Sequence, residues 1–81
     1  MCYVYILYSA KNSRYYIGQT ANLDDRIRRH NGGTERATAP YRPWSLVWST
    51  RKGTRGEAIV LERKLKNLSG PRIKDFIHRH S

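Results

Sequence analysis

Apolar residues recur along this chain in short blocks, and each block carries the period of a particular element. Tyr3-Val4-Tyr5-Ile6-Leu7-Tyr8 is apolar at every position. A strand with that pattern buries both of its faces, so it belongs at the centre of a sheet. Ser9 to Arg14 is polar and turn-like around Asn12-Ser13, and Tyr15-Tyr16-Ile17-Gly18-Gln19 reads as a second strand. So short a connection makes the pair an antiparallel hairpin. With Ala10 to Ser13 as the loop, Ser9 pairs with Arg14, Tyr5 lies opposite Gly18, and Leu7 lies opposite Tyr16. Tyr5 and Tyr16 then share a face as diagonal neighbours. A slip of one residue would send them to opposite faces. Gly18 has no side chain, so a hollow is expected beside the Tyr5 ring.

The period then changes. Asn22 is a suitable helix cap, with Asp24 and Asp25 in the first turn, where the helix dipole favours acids. Leu23 and Ile27 make the apolar stripe, and Asn31-Gly32-Gly33 ends the helix. Residues 32–43 read as a loop bearing Gly, Pro and Arg. Trp44 to Thr50 reads as a third strand. Thr54 followed three residues later by Glu57 is a capping-box pattern. The helix behind it carries Ala58, Leu61, Leu65 and Leu68 on one face. Pro71 opens a short third helix with apolar Ile73, Phe76 and Ile77. The order is β-β-α-β-α-α, an α+β fold with a small three-stranded antiparallel sheet flanked by helices. At 81 residues the chain is expected to form one domain, 1–81.

Charge decides the class of partner. The formal net charge is +10, from 16 Lys plus Arg against 6 Asp plus Glu. The excess is spread over the whole chain, so the fold itself is basic. Eleven of the 16 cations are Arg, whose planar fork suits phosphate and stacks on bases. Nucleic acid is the expected partner, ahead of acidic proteins. Membrane binding is not expected, because no segment pairs a basic face with a wide apolar one. The lone Cys2 excludes an internal disulfide framework and a multi-cysteine zinc site. The apolar run at Tyr3–Tyr8 is far too short to span a membrane and lacks a basic segment before it, which points to a cytoplasmic protein.

A few side chains have the spacing for chemistry, each beside a plainer explanation. Tyr5 and Tyr16 are either site groups or half-buried strand aromatics. Arg26 and His30, four apart, share a helix face that leans over the sheet. Two cations facing tyrosines call for an anion between them, or else they continue a solvated basic face through Arg28 and Arg29. Glu62 is an isolated carboxylate among Arg63, Lys64 and Lys66. It is either a divalent-metal ligand near bound phosphate or the i,i+4 partner of Lys66. His78 and His80 read as tail.

The ordered set of Tyr3-Val4-Tyr5, Tyr16-Ile17-Gly18, Arg26, His30 and a later helical Glu62 resembles the GIY-YIG nuclease domain. The second signature triplet is intact. The first has Tyr3 for Gly and Val4 for Ile and keeps its tyrosine as Tyr5. His30-Asn31-Gly32-Gly33 and Glu62 to Ser69 resemble the small single-domain branch of that superfamily, and the likeness runs from about residue 2 to 75. It implies an endonuclease that hydrolyses phosphodiester bonds in DNA with a single Mg2+ or Mn2+ ion, in a repair or recombination setting. By position, Glu62 would hold the metal and Tyr5 would act on the attacking water. Tyr16 would support Tyr5 and touch phosphate. Arg26 would neutralise the transition state, and His30 would assist proton transfer or contact phosphate. Gly18, Arg28, Arg29 and Lys66 would contact nucleic acid. Arg26 and the metal would be expected to lower the Tyr5 pKa. The family's late Asn has no clear counterpart, Asn67 included. The whole chain would be the catalytic module, without a targeting domain, so target choice would come from nucleic-acid shape or a partner protein. The alternative is a non-catalytic DNA- or RNA-binding module that retains the fold.

Overall fold

The computed structural model describes residues 2–80. Its first two strands, β1 (Cys2–Ser9) and β2 (Arg14–Thr20), form the expected hairpin. The register is the one read from the loop: Ser9 pairs with Arg14, Leu7 with Tyr16 and Tyr5 with Gly18. In the turn Ser13 adopts a left-handed φ of 56°, and the Arg14 amide donates to Asn12 Oδ1 at 3.2 Å. The third strand, β3 (Trp44–Lys52), pairs antiparallel on the other side of β1, giving the order β2-β1-β3. The all-apolar strand is thus the central one, as its pattern requires.

β3 is not regular. Ile6 pairs with Trp48 but Leu7 pairs with Leu46, so Val47 is an extra residue. This bulge shifts the alternation of side chains along the strand. Trp44 comes into register with Ser9 on one side of the sheet, while Val47 and Trp48 pack on the other. A regular strand would have put Trp44 and Trp48 on the same side. β3 also runs two residues beyond Thr50.

Helices cover both sides. On one lies α1 (Leu23–Gly32), whose cap Asn22 accepts from the Asp25 amide at 3.1 Å. Gly33 closes it with φ 81°, a left-handed conformation that glycine adopts without strain. Its missing Cβ also leaves room for the Arg42 guanidinium, which lies against it. The segment after α1 contains one 3-10 turn, η1 (Ala39–Tyr41), followed by a cis Arg42–Pro43 peptide. The buried Ser9 hydroxyl donates to the Tyr41 carbonyl at 2.7 Å and pins this segment to the sheet. Asn31 acts as a short strand for β3: its Oδ1 accepts from the Trp44 amide at 2.6 Å and its Nδ2 donates to the Trp44 carbonyl at 3.1 Å.

On the other side lie α2 (Arg55–Lys66) and α3 (Gly70–Arg79). Thr54 caps α2, accepting from the Glu57 amide at 3.2 Å and donating its hydroxyl proton to Glu57 Oε1 at 3.1 Å. Val4, Ile6, Ile17, Ala58, Leu65 and Ile73 form the aliphatic core beneath these helices, with Leu61, Leu68, Phe76 and Ile77 at its margin. The C-terminal turn is tied down as well. The His80 ring lies 4.3 Å from that of Phe76, and its carbonyl accepts from Trp48 Nε1 at 3.3 Å. No helix among the described residues is long and apolar enough to cross a membrane.

Candidate active site

The α1 side of the sheet carries the side chains singled out for chemistry. Strand alternation puts Tyr5, Leu7 and Tyr16 there, and helical spacing brings Arg26 and His30 over them. The Tyr5 and Tyr16 ring centroids are 6.4 Å apart. The His30 ring sits between them and the loop, 6.1 Å from Tyr5 and 4.8 Å from Tyr16. Tyr5 Oη and His30 Nε2 are 3.3 Å apart, and His30 Nδ1 is 2.8 Å from Thr38 Oγ1. Tyr5 and His30 are each only 1 % exposed, so bulk water competes little for these contacts. The hollow expected beside Gly18 is filled by the Tyr5 ring itself. A Cβ on Gly18 would stand 2.5 Å from Tyr5 Oη and 2.8 Å from Cζ. Gly18 therefore lies beneath the catalytic candidate and allows its ring to lie flat on β2.

The electrostatics correct the expectation for His30 and show what opposes Arg26 at Tyr5. His30 is not a second cation beside Arg26: burial pulls its pKa below the ordinary histidine value, with Arg26 lowering it and Glu35 opposing. It is a neutral imidazole at pH 7. Tyr5 is likewise not driven toward phenolate. Burial, then the adjacent Tyr16, push its pKa well above that of a free tyrosine; Glu35 and Glu62 add to this, and Arg26 only partly offsets it. Tyr16 is pushed up by burial first, then by Glu35 and Glu62, again against Arg26. In the free protein both are phenols with a proton to direct.

Glu62 projects from α2, the helix across the sheet from α1. Its carboxylate acts on both tyrosines, and its side chain is 18 % exposed. The Lys66 ammonium stands 3.8 Å away, so the i,i+4 pair is formed and is long. Among the described residues no group of three His, Cys, Asp or Glu side chains could hold a metal ion. A hard divalent ion does not need one, since Mg2+ commonly takes one or two carboxylates and completes its shell with water and phosphate oxygens. A shielded carboxylate whose present partner is a distant, half-exposed ammonium fits that role.

The remaining nominated residues are spread more widely. Arg28 is exposed on α1. Arg29 is exposed and pairs with Asp25 at 3.1 Å. Lys66, with Arg14 and Tyr16, lines a groove of roughly 400 Å³ along the outer edge of β2 toward Gly70. Trp44 is buried and donates from Nε1 to the Thr38 carbonyl at 2.9 Å, so its ring is not free to stack on a base. Tyr41 remains exposed.

Two residues at this site escape the sequence reading. Glu35 places its carboxylate 3.8 Å from Arg26 Nη1, and Thr38 contacts His30. Both come from the loop after α1, where no period points to them. The available signal is that Glu35 is the sole acid between Asp25 and Glu57.

The sequence matches the GIY-YIG catalytic domain over residues 1–75. It is 35 % identical over 68 residues to a UPF0213 protein of Staphylococcus haemolyticus, covering 83 % of this chain and 82 % of that protein. A UPF0213 protein of Streptococcus pneumoniae is 29 % identical over 76 residues, covering 93 % and 76 %. The solution NMR structure of a UPF0213 protein from Bacillus halodurans superposes with a TM-score of 0.61 at 31 % identity, covering 96 % of this chain and 84 % of that one. With the match extending over nearly the whole sequence and the fold shared, the chain belongs to the GIY-YIG domain family, whose members are generally nucleases that bind nucleic acid and typically use a divalent metal.

Proposed function

We propose that this protein is a metal-dependent endonuclease that hydrolyses phosphodiester bonds in DNA, with Tyr5, Tyr16, Arg26, His30 and Glu62 as its working residues. The observation that carries this is the buried Tyr5–His30 contact on the side of the sheet where Arg26 stands; the Glu62 carboxylate is close enough to help raise the Tyr5 pKa. A core with no chemistry to perform gains little from a buried histidine against a buried phenol, since unpaired polar groups are costly and aliphatic ones are not.

Hydrolysis needs a placed water, neutralisation of the charge that grows on the phosphoryl oxygens, and help for the leaving oxygen. Tyr5, fixed by His30, meets the water. Tyr16, a neutral phenol, donates to a nonbridging oxygen. Arg26, partly exposed and able to exchange Glu35 for phosphate, neutralises a second oxygen. Glu62 would hold a divalent ion, which would supply Lewis-acid neutralisation of the charge. The groove past Arg14 and Lys66 offers a cationic path for the rest of the strand, and the +10 charge makes binding strongly salt-dependent.

The test is incubation of purified protein with labelled single-stranded, duplex and branched DNA and with RNA, in magnesium, manganese or chelator. Glu62→Gln runs beside wild type. The expected result is metal-dependent DNA cleavage that the variant lacks. Salt-sensitive binding with no cleavage under any condition would overturn the reading in favour of a binding module.

A further inference from the structure

Thr38 touches the ring nitrogen that decides which face of its hydroxyl Tyr5 shows to the site. It is 3 % exposed, and Oγ1 has two partners. One is His30 Nδ1 at 2.8 Å; the other is the main-chain carbonyl of Glu35 at 3.3 Å. The same carbonyl accepts from the Thr38 amide at 3.1 Å and the Ala39 amide at 2.9 Å, so the turn that carries Thr38 is firmly set.

A carbonyl oxygen can only accept. Assigning the single hydroxyl proton of Thr38 to Glu35 leaves a lone pair of Oγ1 for His30. Nδ1 must then be the ring nitrogen that carries the proton. A neutral imidazole has one such proton, so Nε2 is bare. The group 3.3 Å from it is Tyr5 Oη, which donates. The Tyr5 proton is thereby directed inward, and its oxygen lone pairs are left for the site.

We propose that Thr38 is a positioning residue: through the His30 tautomer it makes Tyr5 a hydrogen-bond acceptor toward the site, aimed at a hydrogen of the attacking water. In the opposite tautomer Nε2–H would donate to Tyr5. The phenol proton would turn outward toward a phosphate oxygen, and the water would lose its acceptor. The role of Tyr5 toward water rests on the nuclease reading above; the tautomer does not.

The experiment is nitrogen-15 NMR of the imidazole groups in uniformly labelled protein near neutral pH, without nucleic acid. Wild type is expected to show His30 protonated at Nδ1. Thr38→Ser keeps the acceptor and should keep that signature. Thr38→Val removes it and should move His30 toward the Nε2–H form. In single-turnover cleavage Thr38→Val should lose at least about tenfold in rate, with unchanged affinity for DNA, and Thr38→Ser should restore the rate. Wild-type His30 protonated at Nε2 overturns the proposal even if the valine variant fails to fold. So does a folded Thr38→Val that keeps Nδ1–H, or one that changes tautomer and cleaves as wild type. Absence of cleavage in wild type itself overturns the nuclease reading and the positioning role with it, while the tautomer assignment is judged by the spectrum alone.

Discussion

The two sides of the sheet are built on different physics. Beneath α2 and α3 the buried side chains are Val4, Ile6, Ile17, Ala58, Leu65 and Ile73. Their attraction is non-directional, and any filling of similar volume would serve. Beneath α1 and the loop after it, Tyr5, Leu7 and Trp44 are joined by buried His30, Thr38 and Ser9. Each of those polar groups is satisfied by particular partners, and no buried side-chain nitrogen or oxygen among the described residues lacks one. A domain this small has little apolar area to spare. Using half of its sheet surface for directional polar contacts makes sense when those contacts hold a reacting group in place. The aliphatic side supplies stability, and the polar side supplies geometry.

This division predicts separable effects. The largest falls on the aliphatic side. Leu65→Ala should lower unfolding free energy by about 2–5 kcal/mol, and cleavage measured well below its melting temperature should match wild type. Chemical denaturation checks the first part and a cleavage rate the second. A stable Leu65→Ala protein with no activity would break the division.

A smaller effect comes from pH. The folded pKa of His30 lies below its unfolded value because burial disfavours the imidazolium. Its contribution to stability is therefore fully present above about pH 6.5 and is lost as pH falls from there toward the folded value. The phenols behave in mirror image. Tyr5 and Tyr16 are pushed up, so their contribution is present below about pH 10 and is lost as pH rises beyond it. Thermal melts of wild type and His30→Gln between pH 7.5 and 5 isolate the first effect: the stability difference between them should shrink toward the acid end. A difference that grows on acidification would mean that His30 is charged in the fold.

The smallest effect is at Glu35. Its pair with Arg26 is long and half-exposed, so its loss should matter little to stability. Glu35→Gln frees Arg26 for phosphate and removes a negative charge from the site. Affinity for DNA at low salt should rise roughly two- to fivefold, an effect that fluorescence anisotropy resolves and that should fade as salt is added.

The aliphatic side was the more legible in sequence. Its residues repeat at the periods of strand and helix, and its boundaries carry their own chemistry in Thr54 and Pro71. The hairpin register followed from a four-residue connection, and with it the placing of Tyr5 and Tyr16 on one face. Arg26 and His30 were found by helical spacing. What stayed hidden depends on contacts between residues far apart in the chain. Thr38 reaches His30 only because Ser9 and Trp44 fold the loop back over the sheet. The bulge at Val47, which separates Trp44 from Trp48, answers to packing on two sides at once. The neutral state of His30 is hidden because charge is visible in a sequence and burial is not: proximity to Arg26 argues for a second cation, and desolvation outweighs it.

The most direct test compares wild type with Tyr5→Phe in two assays, single-turnover cleavage of the preferred DNA and thermal unfolding. The substitution removes one oxygen from the buried ring and leaves His30 Nε2 without its donor. Stability should fall by about 1–3 kcal/mol, while cleavage should fall by about 10²–10⁴-fold with DNA affinity retained. Cleavage at the wild-type rate by a folded Tyr5→Phe protein would contradict a site built around this phenol.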